Sequence, residues 1–433
     1  MPGTTWKARC GSGRRPPAGV RGPITAMTIT LSSIRQAAAL IRGQVIHTPL
    51  VYSPTFSDRT GADVYLKLEA MQKAGSFKVR GAANRILSRK AEIGAGGVIA
   101  ASAGNHAQGV AVASQLAGVP ATIVMPEWVS LSKQEATVGY GARVVLKGAS
   151  LEESIAHARD LAREQDLTFI HPYDDADVIA GQGTVGLEIL EDLPGADLIV
   201  CPVGGGGLIA GIAVAAKALR PSIRVVGVQS AACPSAVASL AAGRAIEVEA
   251  KPSIADGIRV KKTGQLTLPI LQSLVEEVVL ADEVAILEAV RLLLERKKVL
   301  AEGAGAAPLA ALLSGTIRVR PGEQVVLVIS GGNVDDFLLA RILKKSLYDA
   351  GKILRCAVCI EEGPCSLPAL LELVSREGAV VSWIDQERTA PDLPLHLVRV
   401  ELELEVRGRP HRERVLAALR AGGYQVQPCP AGS

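Results

Sequence analysis

Aromatic residues are scarce in this chain of 433 residues, where Phe, Trp and Tyr together account for 3%. An excess of one charge sign is also lacking, because the formal net charge is only +4. Five basic residues and no acidic residue lie within residues 1–26, so the rest of the chain is close to neutral. A neutral body does not provide the basic surface that nucleic-acid binding requires, and we expect no nucleic-acid partner.

Cysteines are few and odd in number, with seven scattered along the chain. This number does not suit a disulfide framework and favours a reducing compartment, so we expect a cytoplasmic protein. Cys356 and Cys359 form a C-x-x-C pair, but no second ligand pair lies near them in the sequence. Their segment has the pattern of a strand, where a spacing of three points to opposite faces, and we therefore expect no metal site.

Long apolar runs are limited to residues 198–216, which contain no charged residue. Pro202 and four consecutive glycines interrupt this run, so it predicts a buried strand followed by a helix rather than a membrane span. Residues 1–26 lack the apolar core of a secretory signal. We expect them to form a disordered extension, with Met27 as an alternative start.

The length predicts two or three domains. Apolar strands alternate with helical segments, and we predict the strands at 63–69, 97–101, 121–125, 142–146, 168–170, 197–200, 224–228 and 324–329. This rhythm is typical of α/β domains in which helices cover both faces of a parallel sheet. We assign residues 27–66 and 160–348 to a large domain and residues 67–159 to a small one.

The pattern changes after residue 348. Residues 353–429 predict a β-α-β-β-α-β order, which is typical of a ferredoxin-like α+β module. The segment contains no catalytic constellation, so binding or assembly is its expected role.

Lys78 lies between an aromatic and a β-branched residue in Gly75-Ser76-Phe77-Lys78-Val79-Arg80-Gly81-Ala82. A confined, partly apolar pocket lowers the pKa of a lysine and makes its amine available for covalent bonding to a carbonyl. The alternative is a solvated lysine in the first turn of a helix.

Four glycines, Gly204, Gly205, Gly206 and Gly207, join a predicted strand to the helix that begins near Leu208. Their backbone N–H groups, at the positive end of a helix, predict a phosphate site. The spacing Gly205-x-Gly207-x-x-Ala210 also fits a dinucleotide fingerprint. However, the next strand ends in Gln229-Ser230-Ala231 without the acidic residue that would bind a ribose, so a smaller phosphate ligand is favoured.

Two other strand-to-helix turns follow the same design. Ser102-Ala103-Gly104-Asn105-His106 suits carboxylate binding at a helix start, with an ordinary helix cap and a satisfied histidine as the alternative. Ser330-Gly331-Gly332-Asn333 follows the last strand of the α/β region. All three turns lie at carboxyl ends of parallel strands, where open α/β sheets bind ligands.

Together with Lys67-Leu68-Glu69, these segments resemble the threonine/serine dehydratases over roughly residues 28–347. Those enzymes use pyridoxal 5′-phosphate and have the tryptophan-synthase-β-like fold, fold type II. The terminal module resembles an ACT regulatory domain, as in the single-ACT form of threonine ammonia-lyase.

The resemblance implies a role for each site residue. Lys78 is implied as the Schiff-base lysine, and Phe77 as its neighbour beside the cofactor. The implied phosphate ligands are Gly204, Gly205, Gly206, Gly207 and Leu208. Asn105 is similar to the residue at the cofactor's 3′ oxygen and Ser330 to the one at the pyridine nitrogen, while Glu302 lies in another family segment near the cofactor. The turn formed by Ser102, Ala103, Gly104, Asn105 and His106 is implied to bind the substrate carboxylate.

The implied reaction is α,β-elimination, which converts L-threonine to 2-oxobutanoate and ammonia and L-serine to pyruvate. A neutral hydroxyl at Ser330 keeps the ring a weaker electron sink than a carboxylate would, which suits elimination better than transamination. A serine racemase of the same fold is the nearest rival. It would place a serine, as a second acid, where this chain has Ala103. A catalytically inactive amino-acid sensor is an alternative from another class.

The resemblance also implies partners. We expect a small amino acid as substrate, a homo-oligomer that is a tetramer or a dimer, and no membrane partner. The ACT-like domain could bind an amino-acid effector. Cys365, however, replaces the glycine common in the loop before the first ACT helix, which favours subunit pairing as the module's main role.

Overall fold

The computed structural model describes residues 29–428, and the prediction for residues 1–26 lies outside this range. The strands are β1 (Leu50–Tyr52), β2 (Asp63–Lys67), β3 (Val98–Ala101), β4 (Ala121–Met125), β5 (Arg143–Leu146), β6 (Thr168–Phe169), β7 (Leu198–Pro202), β8 (Arg224–Ser230), β9 (Glu277–Ala281), β10 (Gln324–Val328), β11 (Ile353–Glu361), β12 (Val380–Glu387), β13 (Leu397–Glu405) and β14 (Val426–Pro428).

The α-helices alternate with these strands through most of the chain. They are α1 (Leu31–Ile41), α2 (Pro54–Thr60), α3 (Lys78–Ser88), α4 (Asn105–Ala117), α5 (Leu131–Gly139), α6 (Leu151–Glu164), α7 (Ala176–Asp192), α8 (Gly207–Leu219), α9 (Ser235–Ala242), α10 (Thr267–Leu274), α11 (Glu283–Leu292), α12 (Gly303–Leu313), α13 (Asp336–Asp349), α14 (Ser366–Arg376) and α15 (Arg409–Ala421). Within residues 29–428, no helix is both long enough and apolar enough to span a bilayer.

A six-stranded sheet forms the centre of the large domain, in the order β1-β2-β10-β7-β8-β9. All neighbouring strands are parallel except β1, which pairs antiparallel with β2. In β7, Leu198 and Val200 enter the core on one face, while Ile199 and Cys201 enter the core on the other. Helices cover both faces, which explains why the strands are apolar throughout and do not alternate with polar residues.

The small domain contains a parallel four-stranded sheet in the order β5-β4-β3-β6. Residues Thr168 and Phe169 of β6 pair with Val98 and Ile99 of β3, although the sequence pattern assigns residues 160–348 to the large domain. Lys67, which the sequence pattern places at the start of the small domain, is the last residue of β2 in the large sheet. The chain therefore leaves the small sheet only after β6.

The C-terminal module is an antiparallel sheet in the order β12-β13-β11-β14, with α14 and α15 packed together. This is the strand order of the predicted ferredoxin-like module. Its own core is made of alternate residues of β11 and β13 together with Leu370, Val374 and Val415. Helix α13 joins the large domain to this module. Near its end, Tyr348 donates a hydrogen bond to Glu403 of β13, and Lys344 forms an ion pair with the same carboxylate.

Short polar residues fix where several helices begin. The side chain of Asp175 accepts hydrogen bonds from the first N–H groups of α7, and Asp335 does the same for α13. Thr30 and Ser33 form a reciprocal capping box at α1. Such caps satisfy backbone donors that have no partner within the helix.

Candidate active site

A cavity of about 700 Å³ opens at the carboxyl ends of β3, β7 and β10. Every residue that the sequence analysis assigns to the cofactor or substrate site lines this cavity. These residues are Phe77, Lys78, Ser102, Ala103, Gly104, Asn105, His106, Gly204, Gly205, Gly206, Gly207, Leu208, Glu302 and Ser330. The three predicted turns therefore meet around one space of the size that small-molecule sites occupy.

Lys78 is the first residue of α3, and its Nζ atom donates a hydrogen bond to the carbonyl of Pro172 at 2.9 Å. Nζ also lies 5.2 Å from the centre of the Phe77 ring. Burial lowers the pKa of Lys78 to about 8, although the charge of Glu302 raises it in part. A substantial fraction of this amine is therefore neutral near physiological pH, as nucleophilic attack on a carbonyl requires.

The glycine loop is packed too closely to carry side chains. A Cβ atom on Gly205 would lie 2.3 Å from the Tyr173 ring, and Gly206 has φ +97, in the left-handed region. The loop is held by Thr267, whose hydroxyl donates to the carbonyl of Gly205 at 2.7 Å. The backbone N–H groups of Gly204 to Gly207 have no protein acceptor within residues 29–428, and Gly207 is the first residue of α8.

Asn105 and Glu302 form a polar pair in the cavity wall. The Nδ2 atom of Asn105 donates to Oε1 of Glu302 at 2.7 Å. Glu302 is the N-cap residue of α12, but its side chain makes no cap hydrogen bond there and lies against Asn105 and Gly331 instead. Burial and the nearby Asp256 raise the pKa of Glu302 to about 7. This carboxyl can therefore hold or release a proton near neutral pH.

The turn at residues 102–106 starts α4, with Gly104 as the N-cap residue. Gly104 N–H bonds to the Ser102 hydroxyl at 3.2 Å. His106 is buried, and its Nε2 lies 3.0 Å from the carbonyl of Ile170, so Nε2 must carry the proton. Burial, and then the charge of Lys78, lower its pKa to about 3. The side chain of His106 is thus a satisfied, neutral histidine, and only its backbone is available to an anion.

Ser330 lies two residues after the end of β10 and is buried in the cavity wall. Its carbonyl accepts the N–H of Phe77 at 3.1 Å, and Ser76 forms a bridge with Gly331. The lysine segment and the Ser330 turn are therefore joined through their backbones.

Sequence reasoning missed the segment His171–Tyr173, which crosses from the small sheet to the large domain. Pro172 provides the carbonyl that accepts a hydrogen bond from Lys78, and the ring of Tyr173 packs on Gly205. The Nδ1 atom of His171 accepts the N–H of Asp174 at 2.8 Å. Asn333 was also missed, although its motif was recognised. Only proximity in the fold reveals these residues, because neither has a distinctive sequence context.

Close to Lys78, a buried ion network joins the domains. Arg80 donates to both oxygens of Glu69 at 2.8 Å and pairs with Glu188 of α7 at 2.6 Å. Lys67 forms an ion pair with Glu188 at 2.7 Å. Burial alone would lower the pKa of Arg80, but the two carboxylates hold it well above its usual range.

These features fit pyridoxal phosphate. An amine with a lowered pKa faces the cavity, free backbone donors lie at the start of a helix where a phosphate would bind, and the loop is too confined for any Cβ at Gly205. Lys78, the loop Gly204–Gly207 and Ser330 could hold its aldehyde, its phosphate and its ring.

Residues 41–331 match the model of the family described as pyridoxal-phosphate dependent enzyme. The chain belongs to this family and depends on pyridoxal phosphate.

Within this family, the chain is similar to enzymes that act on threonine or serine. The chain is 45% identical to an L-threonine ammonia-lyase of Thermotoga maritima, over 92% of this chain and 99% of that one. It is similar to a solved T.th. threonine deaminase, with 42% identity, a TM-score of 0.67 and coverage of 71% of this chain and 99% of that one. A maize serine racemase gives 38% identity and a TM-score of 0.70, covering 74% of this chain and 99% of that one.

Proposed function

We propose that this protein is an L-threonine ammonia-lyase that converts L-threonine to 2-oxobutanoate and ammonia, and L-serine to pyruvate. The observation that carries the proposal is the amine of Lys78, which has a lowered pKa and faces the same cavity as the free N–H groups of the glycine loop. The identity to a threonine ammonia-lyase over nearly the whole chain supports the choice of substrate.

Lys78 has two tasks in this proposal. Its neutral amine would hold the aldehyde of the cofactor, and the same amine, when free of the cofactor, would accept the Cα proton of the substrate. Pyridoxal phosphate supplies the electron sink that makes this proton acidic. The carbonyl of Pro172, 2.9 Å from Nζ, holds the amine in place while it accepts the proton. Phe77 excludes water on one side of the amine.

The other residues bind and orient. The N–H groups of Gly204–Gly207 and of Leu208 in the first turn of α8 would bind the phosphate, because they are free donors at the positive end of a helix. Ser330 would offer a neutral hydroxyl to the ring nitrogen. Asn105 would offer a donor to the 3′ oxygen.

The turn from Ser102 to His106 binds the substrate carboxylate through the first N–H groups of α4. Ala103 carries no proton-transfer group, so nothing at this position returns a proton to the opposite face of Cα. Loss of the β-hydroxyl is then the favoured outcome, which separates this enzyme from a serine racemase.

The test uses the full chain reconstituted with pyridoxal phosphate. We expect a visible absorbance band that shifts on addition of L-threonine, and release of equal amounts of 2-oxobutanoate and ammonia. Net formation of D-serine from L-serine faster than pyruvate would support the racemase instead. A band that shifts without product would support an amino-acid sensor.

We also propose that the protein is a cytoplasmic homo-oligomer, a tetramer or a dimer, with subunits paired through the C-terminal module. Edge strand β12 exposes the apolar side chains of Val380, Val381, Trp383 and Ile384, and this surface supports the pairing of two subunits through β12. Cys201, Cys233, Cys359 and Cys365 are free thiols, which is consistent with a reducing compartment. An amino-acid effector of this module would alter kcat/KM for threonine when isoleucine or valine is added. Light scattering tests the assembly, and a monomer would contradict it.

A further inference from the structure

We propose that Asn333 is a positioning residue that fixes which way the side-chain amide of Asn105 points. Asn333 follows the Ser330 turn, and its Nδ2 atom donates to the carbonyl of Ala74 at 2.7 Å and to Oδ1 of Asn105 at 2.8 Å. Gln108 Oε1 is a third, more distant acceptor at 3.2 Å. The inference rests on the proposed function, because it concerns the donor that Asn105 presents to the cofactor.

The ends of this hydrogen-bond chain determine its direction. The carbonyl of Ala74 can only accept, so Asn333 must present its NH₂ group to it. The same NH₂ group reaches Asn105, which must then turn its oxygen toward Asn333 and its nitrogen toward Glu302. One hydrogen of Asn105 Nδ2 bonds to Glu302, and the second is left for a ligand in the cavity.

The backbone around Asn333 is built to hold this geometry. Gly332 N–H bonds to the carbonyl of Gly75 at 2.9 Å. Gly75 has φ +66, and a Cβ atom there would lie 2.2 Å from Asn333 Oδ1. The lysine segment, the Asn105 turn and the Ser330 turn therefore meet at one amide. The site would be incomplete without it, because no other described side chain contacts both Ala74 and Asn105.

The chemical consequence concerns the 3′ oxygen of the cofactor. A donor at an oxyanion favours its ionised form and lowers the pKa of the group. If Asn333 became a carboxylate, it would repel both the Ala74 carbonyl and Asn105 Oδ1, and the Asn105 amide would flip. An oxygen rather than an N–H would then face the cavity side.

The experiment compares Asn333→Asp and Asn333→Ser with the wild-type holoenzyme. We expect Asn333→Asp to raise the midpoint of the pH titration of the visible cofactor band by about one unit and to weaken cofactor binding about tenfold. Asn333→Ser keeps one neutral donor and should give smaller changes in the same direction. The decrease in threonine turnover should fall mainly on kcat, with KM little changed.

Asn84→Asp is the matched control. Asn84 is also a buried asparagine that donates to a backbone carbonyl, that of Asp177 at 2.7 Å, but it does not line the cavity. It should lower the melting temperature without moving the absorbance titration. A wild-type titration in either folded Asn333 variant would overturn the inference. A wild-type holoenzyme with no visible band or no threonine turnover would instead overturn the proposed function.

Discussion

Lys78 and Arg80 lie two residues apart at the start of α3, yet only Arg80 has carboxylate partners. Arg80 is paired with Glu69 and Glu188, whereas the nearest hydrogen-bond partner of Lys78 among residues 29–428 is the neutral carbonyl of Pro172. A carboxylate in contact would hold the lysine protonated. Within one helical turn, Arg80 is therefore an ion-paired residue that stabilises the fold, whereas Lys78 remains available to react.

Lys78→Ala should abolish the visible band of the bound cofactor and reduce threonine turnover by about 10³-fold or more, because both the covalent link and the proton acceptor are lost. Absorbance and 2-oxobutanoate release measure the two effects. Lys90→Ala, at an exposed lysine after α3, should leave both unchanged. Retained turnover in Lys78→Ala would contradict the assignment of the base.

The rate at which the apoprotein binds pyridoxal phosphate should rise with pH and level off above pH 8. Burial lowers the pKa of Lys78 to about 8, so the neutral fraction of the amine increases about tenfold from pH 7 to pH 9. Stopped-flow absorbance gives the midpoint. A rate that still rises steeply above pH 10 would indicate an ordinary lysine.

Glu302→Gln should move that midpoint to lower pH. The charge of Glu302 raises the pKa of Lys78, and the neutral amide removes this effect. The same stopped-flow measurement applies. An unchanged midpoint would show that Glu302 is not ionised in this range.

Arg80→Met should destabilise the protein by about 3–5 kcal/mol, because it leaves the buried Glu69 without its cation and Glu188 with only one of its two cations. Chemical denaturation of the apoprotein measures this free energy of unfolding. Arg89→Met removes an exposed arginine just after the same helix and should leave the unfolding midpoint nearly unchanged. Equal effects of the two substitutions would show that the network does not contribute to stability.

Gly205→Ala should weaken cofactor binding about tenfold or more, because the added methyl group would overlap the Tyr173 ring and displace the loop. Equilibrium titration of the apoprotein measures the affinity. Gly139→Ala, where a Cβ meets no atom within 4 Å, is the control. Unchanged affinity in Gly205→Ala would argue against the loop as the phosphate site.

Much of this architecture could be predicted from the sequence. Strands such as β4, β7 and β10 are short runs of Val and Ile between helical segments, so their type and parallel pairing follow from burial on both faces. The residues at their carboxyl ends were found for the same reason. Gly205 and Ser330 each lie in a turn whose composition predicts a ligand, and Lys78 lies in a segment whose apolar neighbours predict a reactive amine.

Other features depended on contacts that no local pattern encodes. β1 has only three residues, and no periodicity can be recognised in so short a strand. Two residues separate β9 from α10, and this strand was not predicted. β6 has two residues, and its sequence does not indicate that it pairs with β3. Tyr173 and Asn333 act through neighbours that are distant in sequence.

Helix α13 begins three residues after Asn333 and ends beside Glu403 of the C-terminal module. A helix of 14 residues is about 21 Å long, so a tilt of about 5° at one end displaces the other by about 2 Å. The helix is thus a lever arm with the terminal sheet at one end and the amide that orients Asn105 at the other. A rotation of the terminal sheet by about 5° would displace the first turn of a rigid α13 by about 2 Å, which is enough to break the 2.8 Å hydrogen bond from Asn333 to Asn105.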